Sequence, residues 1–196
     1  MMPKRITIIQ GNPDPSGQRF GHALAEAYAQ GAKGATHEVK MIEVAKLDFP
    51  LLRTQEEWKY GTLPRSLQEA QDAIGWAEHL VFFFPLWLGT MPALLKAFLE
   101  QVARPGFAIG GGERGKIPMK LLRGKSARIV VTMGMPAFLY RWYFLAHGLK
   151  GLERNILGFA GIAPIKETLI GMVDASEKTN REKWLPKLRA LGRAGK

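Results

Sequence analysis

The chain has no cysteine among its 196 residues, which excludes a disulfide framework, a thiolate metal site and a cysteine nucleophile. It also lacks any apolar run near the roughly 20 residues that a membrane-crossing helix needs. Met1-Met2-Pro3-Lys4-Arg5 leads into an apolar stretch too short for the core of a secretion signal, so the expectation is a cytoplasmic protein that is not integral to a membrane. The four histidines, His22, His37, His79 and His147, are isolated and show no metal-binding spacing, so no metal site is expected. No G-x-S-x-G elbow is present for a hydrolase. Acidic residues are scarce: 17 Asp and Glu stand against 28 Lys and Arg, a net charge of +11 that favours anionic partners such as phosphorylated cofactors. The basic residues are spread along the chain without interleaved aromatics or a DNA-binding module, so no nucleic-acid partner is expected.

What is there suits a globular protein: 46% hydrophobic and 23% charged residues, in a length that fits a single domain over 1–196. Arg5 to Ile9 is β-branched and apolar, and Gly11-Asn12-Pro13-Asp14-Pro15-Ser16-Gly17 closes it as a loop. Phe20, Ala23, Leu24, Ala27 and Tyr28 then recur at helical spacing, with Ser16 as the expected cap and exposed N–H groups suited to a phosphate. His37 to Val44 alternates as a second strand; Glu56 to Pro64 has no clear period; Leu67, Ala70, Ile74 and Ala77 mark a second helix. His79 to Phe84 is an apolar strand, Ala93 to Val102 its helix, Ser126 to Thr132 a fourth strand and Ile165 to Ile170 a fifth. Arg141 to Phe159 reads as mostly helical, and Arg181 to Leu191 as a terminal helix. Strands alternating with helices predict an α/β fold, a doubly wound five-stranded parallel sheet in the flavodoxin-like order 2-1-3-4-5, with helices on both faces. That order brings the loops after Ile9 and Phe84 face to face.

Two glycine-rich matches carry little. Gly110-Gly111-Gly112-Glu113-Arg114-Gly115 fits G-x-G-x-x-G but follows a loop and precedes Lys116-Ile117-Pro118 in place of a helix. Read as a phosphate-binding P-loop, the same segment has Ile117 where Ser or Thr must hold magnesium. The more informative loops are Pro85-Leu86-Trp87-Leu88 and Thr132-Met133-Gly134-Met135, whose backbone N–H groups and apolar faces suit a flat heteroaromatic ring better than acid–base chemistry.

The stretch Phe84-Pro85-Leu86-Trp87-Leu88-Gly89-Thr90-Met91-Pro92-Ala93-Leu94-Leu95-Lys96-Ala97-Phe98 resembles the F-P-L, aromatic-loop, P-A-x-L-K segment of the flavodoxin-like NAD(P)H:quinone reductases of the DT-diaphorase type. Gly11-Asn12-Pro13 stands where that family has a His-containing phosphate loop, Gly106-Phe107-Ala108 resembles its G-x-F-A, Thr132-Met133-Gly134 its T-T-G and Ala146-His147-Gly148 its x-H-G. The resemblance implies a bound flavin, FAD or FMN, that takes hydride from NAD(P)H and passes two electrons to a quinone-like acceptor in a ping-pong cycle. It implies that Asn12, Ser16, Phe20 and Gly21 approach the phosphate or ribityl chain, that Pro85, Leu86, Trp87 and Leu88 wrap the ring edge, and that Thr132, Met133, Gly134 and Met135 steady its charge. His147 would assist that charge, with Tyr140 or Tyr143 nearby. Phe107 and Ile109 would line the substrate pocket, where Ile109 to Gly112 replaces an aromatic-rich wall. A homodimer is implied too, with Trp142, Tyr143, Phe144 and Leu145 in part as its interface. The competing reading is a regulatory flavoprotein subunit that docks on a membrane transporter through its basic surface.

Overall fold

The computed structural model describes residues 2–110, 119–174 and 181–196. Three strands are buried but for their end residues: β1 (Arg5–Gln10), β3 (His79–Pro85) and β4 (Ser126–Thr132). Being covered on both faces, they need the near-continuous apolar composition that marks them in sequence. β2 (Glu38–Glu43) and β5 (Ile165–Ile170) are more polar because they are the edges. All pairings are parallel, in the expected order β2-β1-β3-β4-β5.

Alternation along β3 divides the core. Leu80, Phe82 and Phe84 pack with α3 (Gln68–Trp76) and α4 (Ala93–Val102) on one face. Val81 and Phe83 point the other way, to Leu24 and Tyr28 of α1 (Phe20–Lys33) and Leu188 of the last helix (Trp184–Arg193). Each phenylalanine of the run thus serves one layer, as a period of two requires. Because every crossover returns parallel, the loops after β1, β3 and β4 gather at one carboxyl edge, with the crevice between β1 and β3.

The structure departs from the sequence reading at three places. The connection without a clear period contains a short helix, α2 (Gln55–Tyr60), with no buried residue. It starts where Thr54 Oγ1 accepts from Glu57 N–H at 3.1 Å, so a cap defines it and burial does not. Ser16 does not cap α1; Arg19 occupies that position, and Ser16 instead donates its N–H to Asp14 at 2.9 Å. The segment from Arg141 is not one helix. It comprises α5 (Ala137–Trp142), a left-handed break at Leu145 and Ala146, α6 (His147–Lys150) and a π-helical stretch, Gly151–Leu157. Most of the glycine-rich matches, from Gly111 to Pro118, lies outside the described residues.

Candidate active site at the carboxyl edge of the sheet

The loop after β1 is organised by side chains bonding to the main chain two residues on. Gln10, fully buried, accepts from Asn12 N–H at 3.1 Å; Asn12 accepts from Asp14 N–H at 3.0 Å; Asp14 accepts from Ser16 N–H. Such Asx-type turns hold a loop stiff without secondary structure. Gln10 also donates to Gly21 O at 3.0 Å, which ties the loop to the first turn of α1. The Ser16 N–H, then the Ser16 hydroxyl and Arg19, hold the Asp14 carboxyl down at about 2, so it is ionised and already neutralised by Arg19.

A cleft of about 610 Å³ lies beyond this loop, bounded by Asn12, Arg19, Phe20, Gly21, Pro85, Trp87, Thr132, Asp174 and Arg181. The Phe20 and Gly21 N–H groups at the start of α1 have no helical acceptor and favour an anion there, whereas His22 N–H donates to Arg19 O. Arg181 adds a cation whose buried Nε has no hydrogen-bond partner among the described residues. An unpaired buried guanidinium donor beside Asn12 and a helix start is a set that a phosphate completes. These residues therefore fit the phosphate and ribityl end of a flavin.

The opposite wall is a tight turn. Trp87 N–H donates to Thr90 O at 2.9 Å and Thr90 N–H returns to Trp87 O at 3.0 Å, while Leu88 and Gly89 both take positive φ, 47° and 79°. This is the geometry of a type I′ turn, in which both central residues are left-handed. It pushes Trp87 outward, 53% exposed, with Leu88 at its tip. The expectation that this loop offers Leu86 and Trp87 N–H groups to a ligand is corrected: Leu86 N–H donates to Thr132 O at 2.8 Å and Trp87 N–H closes the turn. The N–H groups of Leu88 and Gly89 are without an acceptor among the described residues. Met133 is corrected likewise, since it is buried and its N–H donates to Ile170 O at 2.9 Å. Gly134 and Met135 carry what the β4 loop has to offer.

On its far side Trp87 borders a second cleft of about 640 Å³, with Leu88, Met91, Pro92, Lys96, Gly148 and Ile156 among its walls. Gly148 approaches the turn so closely that a Cβ there would lie 2.2 Å from Gly89 O. His147, exposed at the start of α6, is thereby brought next to the turn. Tyr140 holds the two together: its hydroxyl donates to Gly89 O and accepts from Leu149 N–H, both at 3.1 Å. It is 1% exposed, and burial raises its pKa, so it sits as a neutral strut and not as an open acid. Tyr143, by contrast, is 75% exposed and stacks edge-on against Phe144. Phe107 and Ile109 are not brought to the Trp87 wall; they line a separate apolar chamber beside it.

Sequence reasoning missed Gln10, Arg19, Asp174 and Arg181. Gln10 left a signal, a polar residue closing an apolar strand at the sheet's binding edge. Arg181 left none, because only the fold returns the chain after β5 to the β1 loop.

The chain is 26% identical over 178 residues to the Ribosyldihydronicotinamide dehydrogenase-like protein traD of Penicillium crustosum, a match covering 78% of the chain and 64% of that protein. It is 24% identical over 196 residues to the FMN-dependent NADH:quinone oxidoreductase 3 of Bacillus cereus, covering 91% of the chain and 92% of that enzyme. Among solved structures it is similar to Smu.1420 from Streptococcus mutans UA159, with a TM-score of 0.81 and 26% identity, covering 96% of the chain and 98% of the other. Residues 4–191 match the family described by its flavodoxin-like fold, and the chain belongs to that family.

Proposed function

We propose that this chain is a flavin-dependent oxidoreductase that takes hydride from NAD(P)H and reduces quinones or similar acceptors by two electrons, the two substrates alternating in one site. The observation that carries this is the position of Trp87: one wall shared by a polar, phosphate-suited cleft and an apolar cleft. Residues on the polar side of that wall would hold an anionic tail, and those on the apolar side would receive a substrate. The B. cereus relative, named FMN-dependent, supports FMN. Relatives named as dehydrogenases and quinone oxidoreductases favour an enzyme over a transporter-docking subunit.

When bound, the flavin supplies the hydride acceptor; the protein supplies binding, orientation and charge. Arg181, Asn12 and the first turn of α1 would hold the phosphate, with Ser16 fixing the loop around Asp14. The N–H groups of Gly134 and Met135 and the His147 imidazole would be the donors available to a bound flavin ring. Tyr140 positions α6, whereas Tyr143 stands in the exposed apolar surface beside His147. The site is that of one flavodoxin-like unit over 1–196, in the cytoplasm.

The purified protein is expected to be yellow, to bleach on NADH or NADPH, and to regain colour on addition of a quinone, with His147→Ala slowing that cycle. A colourless preparation that takes up neither FMN nor FAD removes this function.

Trp142 and Tyr143, each 75% exposed, Phe138, Phe144 and Leu145 form an apolar surface flanking His147. We infer that a second copy covers it in a homodimer. Sedimentation should give twice the 21.8 kDa chain mass; monomer alone at micromolar concentration refutes the dimer.

A further inference from the structure

The chamber that receives Phe107 and Ile109 holds about 240 Å³ and is walled by side chains such as Ile74, Leu80, Phe82, Leu99 and Leu122. Among the described residues its polar side groups are Lys96, Glu100, Asn155 and the Trp58 indole N–H. Lys96 and Glu100 are about half exposed and pair with each other at i, i+4 on α4. A pair so exposed is worth little and parts easily. Meanwhile the Lys96 stem lays methylene groups along the wall.

The chamber and the Trp87 cleft share Lys96, Asn155 and Ile156. Ala93 and Lys96 of α4 face the cleft; Lys96, Leu99, Glu100 and Ala103 face the chamber. These positions recur at three and four residues, so one face of α4 serves as the floor of both. From Lys96 to Ala103 that floor runs roughly 10 Å at 1.5 Å per residue. The facing wall is the π-helical stretch. Asn155, Ile156 and Leu157 all line the chamber in succession, and π-turns of this kind concentrate at functional sites.

The space opens to solvent past Lys96 and Glu100, and its apolar walls gain when a hydrocarbon replaces the water against them. We propose that this chamber takes the alkyl or isoprenyl tail of a lipophilic quinone whose ring lies in the Trp87 cleft. The inference rests on the flavin-dependent quinone reduction proposed above and narrows its acceptor to ring quinones with an apolar chain.

A quinone and the same ring bearing a decyl chain separate the two claims. Each methylene buried multiplies affinity by about four, so three buried methylenes lower the KM of the decyl compound by roughly sixtyfold, with kcat within about twofold. Ala160→Phe fills the chamber and Ala103→Leu narrows it more gently should the first fail to fold; either brings the KM ratio to within about threefold of unity. Binding is read without turnover by titrating 1-decanol against the protein, with and without flavin. A saturable fluorescence change is expected, lost in Trp58→Phe, because Trp58 lines the chamber. If the parent quinone is reduced but the decyl chain brings no gain, or if 1-decanol does not bind, the tail site is overturned; a second copy seated over the chamber gives this same result. If neither quinone is reduced while 1-decanol still binds at Trp58, the flavin reading fails and the apolar site stands as a binding chamber alone.

Discussion

Arg181 is the residue on which the anion end of the cleft depends most. Its Nε is buried without a partner among the described residues, a state that costs free energy until an anion arrives. Hydrogen bonds to charged groups contribute about 1.5–3 kcal/mol, so Arg181→Gln is expected to weaken flavin affinity by roughly 10- to 100-fold. The same substitution should leave the thermal stability of the flavin-free chain unchanged or slightly raised, since it removes an unpaired buried donor. Fluorescence titration of flavin into apoprotein checks it, and an unaltered Kd would show that Arg181 does not face the ligand. The sequence could suggest Asn12, because a donor beside the first strand's end has one place to be. It could not suggest Arg181, whose approach depends on the whole path from β5 back to the last helix.

At the scale of elements, the turn after β3 and helix α6 act as one piece through Tyr140. Tyr140→Phe leaves Gly89 O and Leu149 N–H without the hydroxyl that served both. The cost of such unsatisfied groups is about 1–3 kcal/mol, to be seen as a lower denaturant midpoint. Catalysis should suffer beyond that, because Trp87 and His147 lose their common brace while the phosphate cleft keeps its own. A variant with normal stability and normal turnover would dismiss the brace. Elements that bury a face were legible: β3, α4, β4 and β5 were read from their apolar patterns within a residue of where they lie. Elements that bury nothing were not. α2 is defined by the Thr54 cap, and the break before α6 by Leu145 and Ala146 in a left-handed conformation that their side chains do not advertise. Leu88 hid the Trp87 turn for the same reason, since the turn's first left-handed position holds no glycine.

For the molecule as a whole, the opposite edge of the sheet sets the response to acid. His79, at the start of β3, is 3% exposed; its Nδ1 lies 2.8 Å from Ser126 Oγ, and its Nε2 has no partner among the described residues. Burial first, then the nearby Lys4 and Arg128 charges, lower its pKa to about 4. An unfolded histidine titrates near 6.5. Between those values the unfolded chain binds a proton that the folded chain refuses, so stability falls as pH drops from about 6.5 to about 4, and this contribution levels off below. The displacement amounts to at most about 3.5 kcal/mol at 1.36 kcal/mol per pKa unit. The chain's excess of basic groups adds self-repulsion in the same direction, so the His79 part must be isolated by substitution. Urea midpoints at pH 7 and pH 4.5 should differ less in His79→Gln than in the unaltered protein. Equal differences would mean that His79 takes up its proton in the folded state as readily as in the unfolded one, and the acid lability would then belong to the surface charge alone.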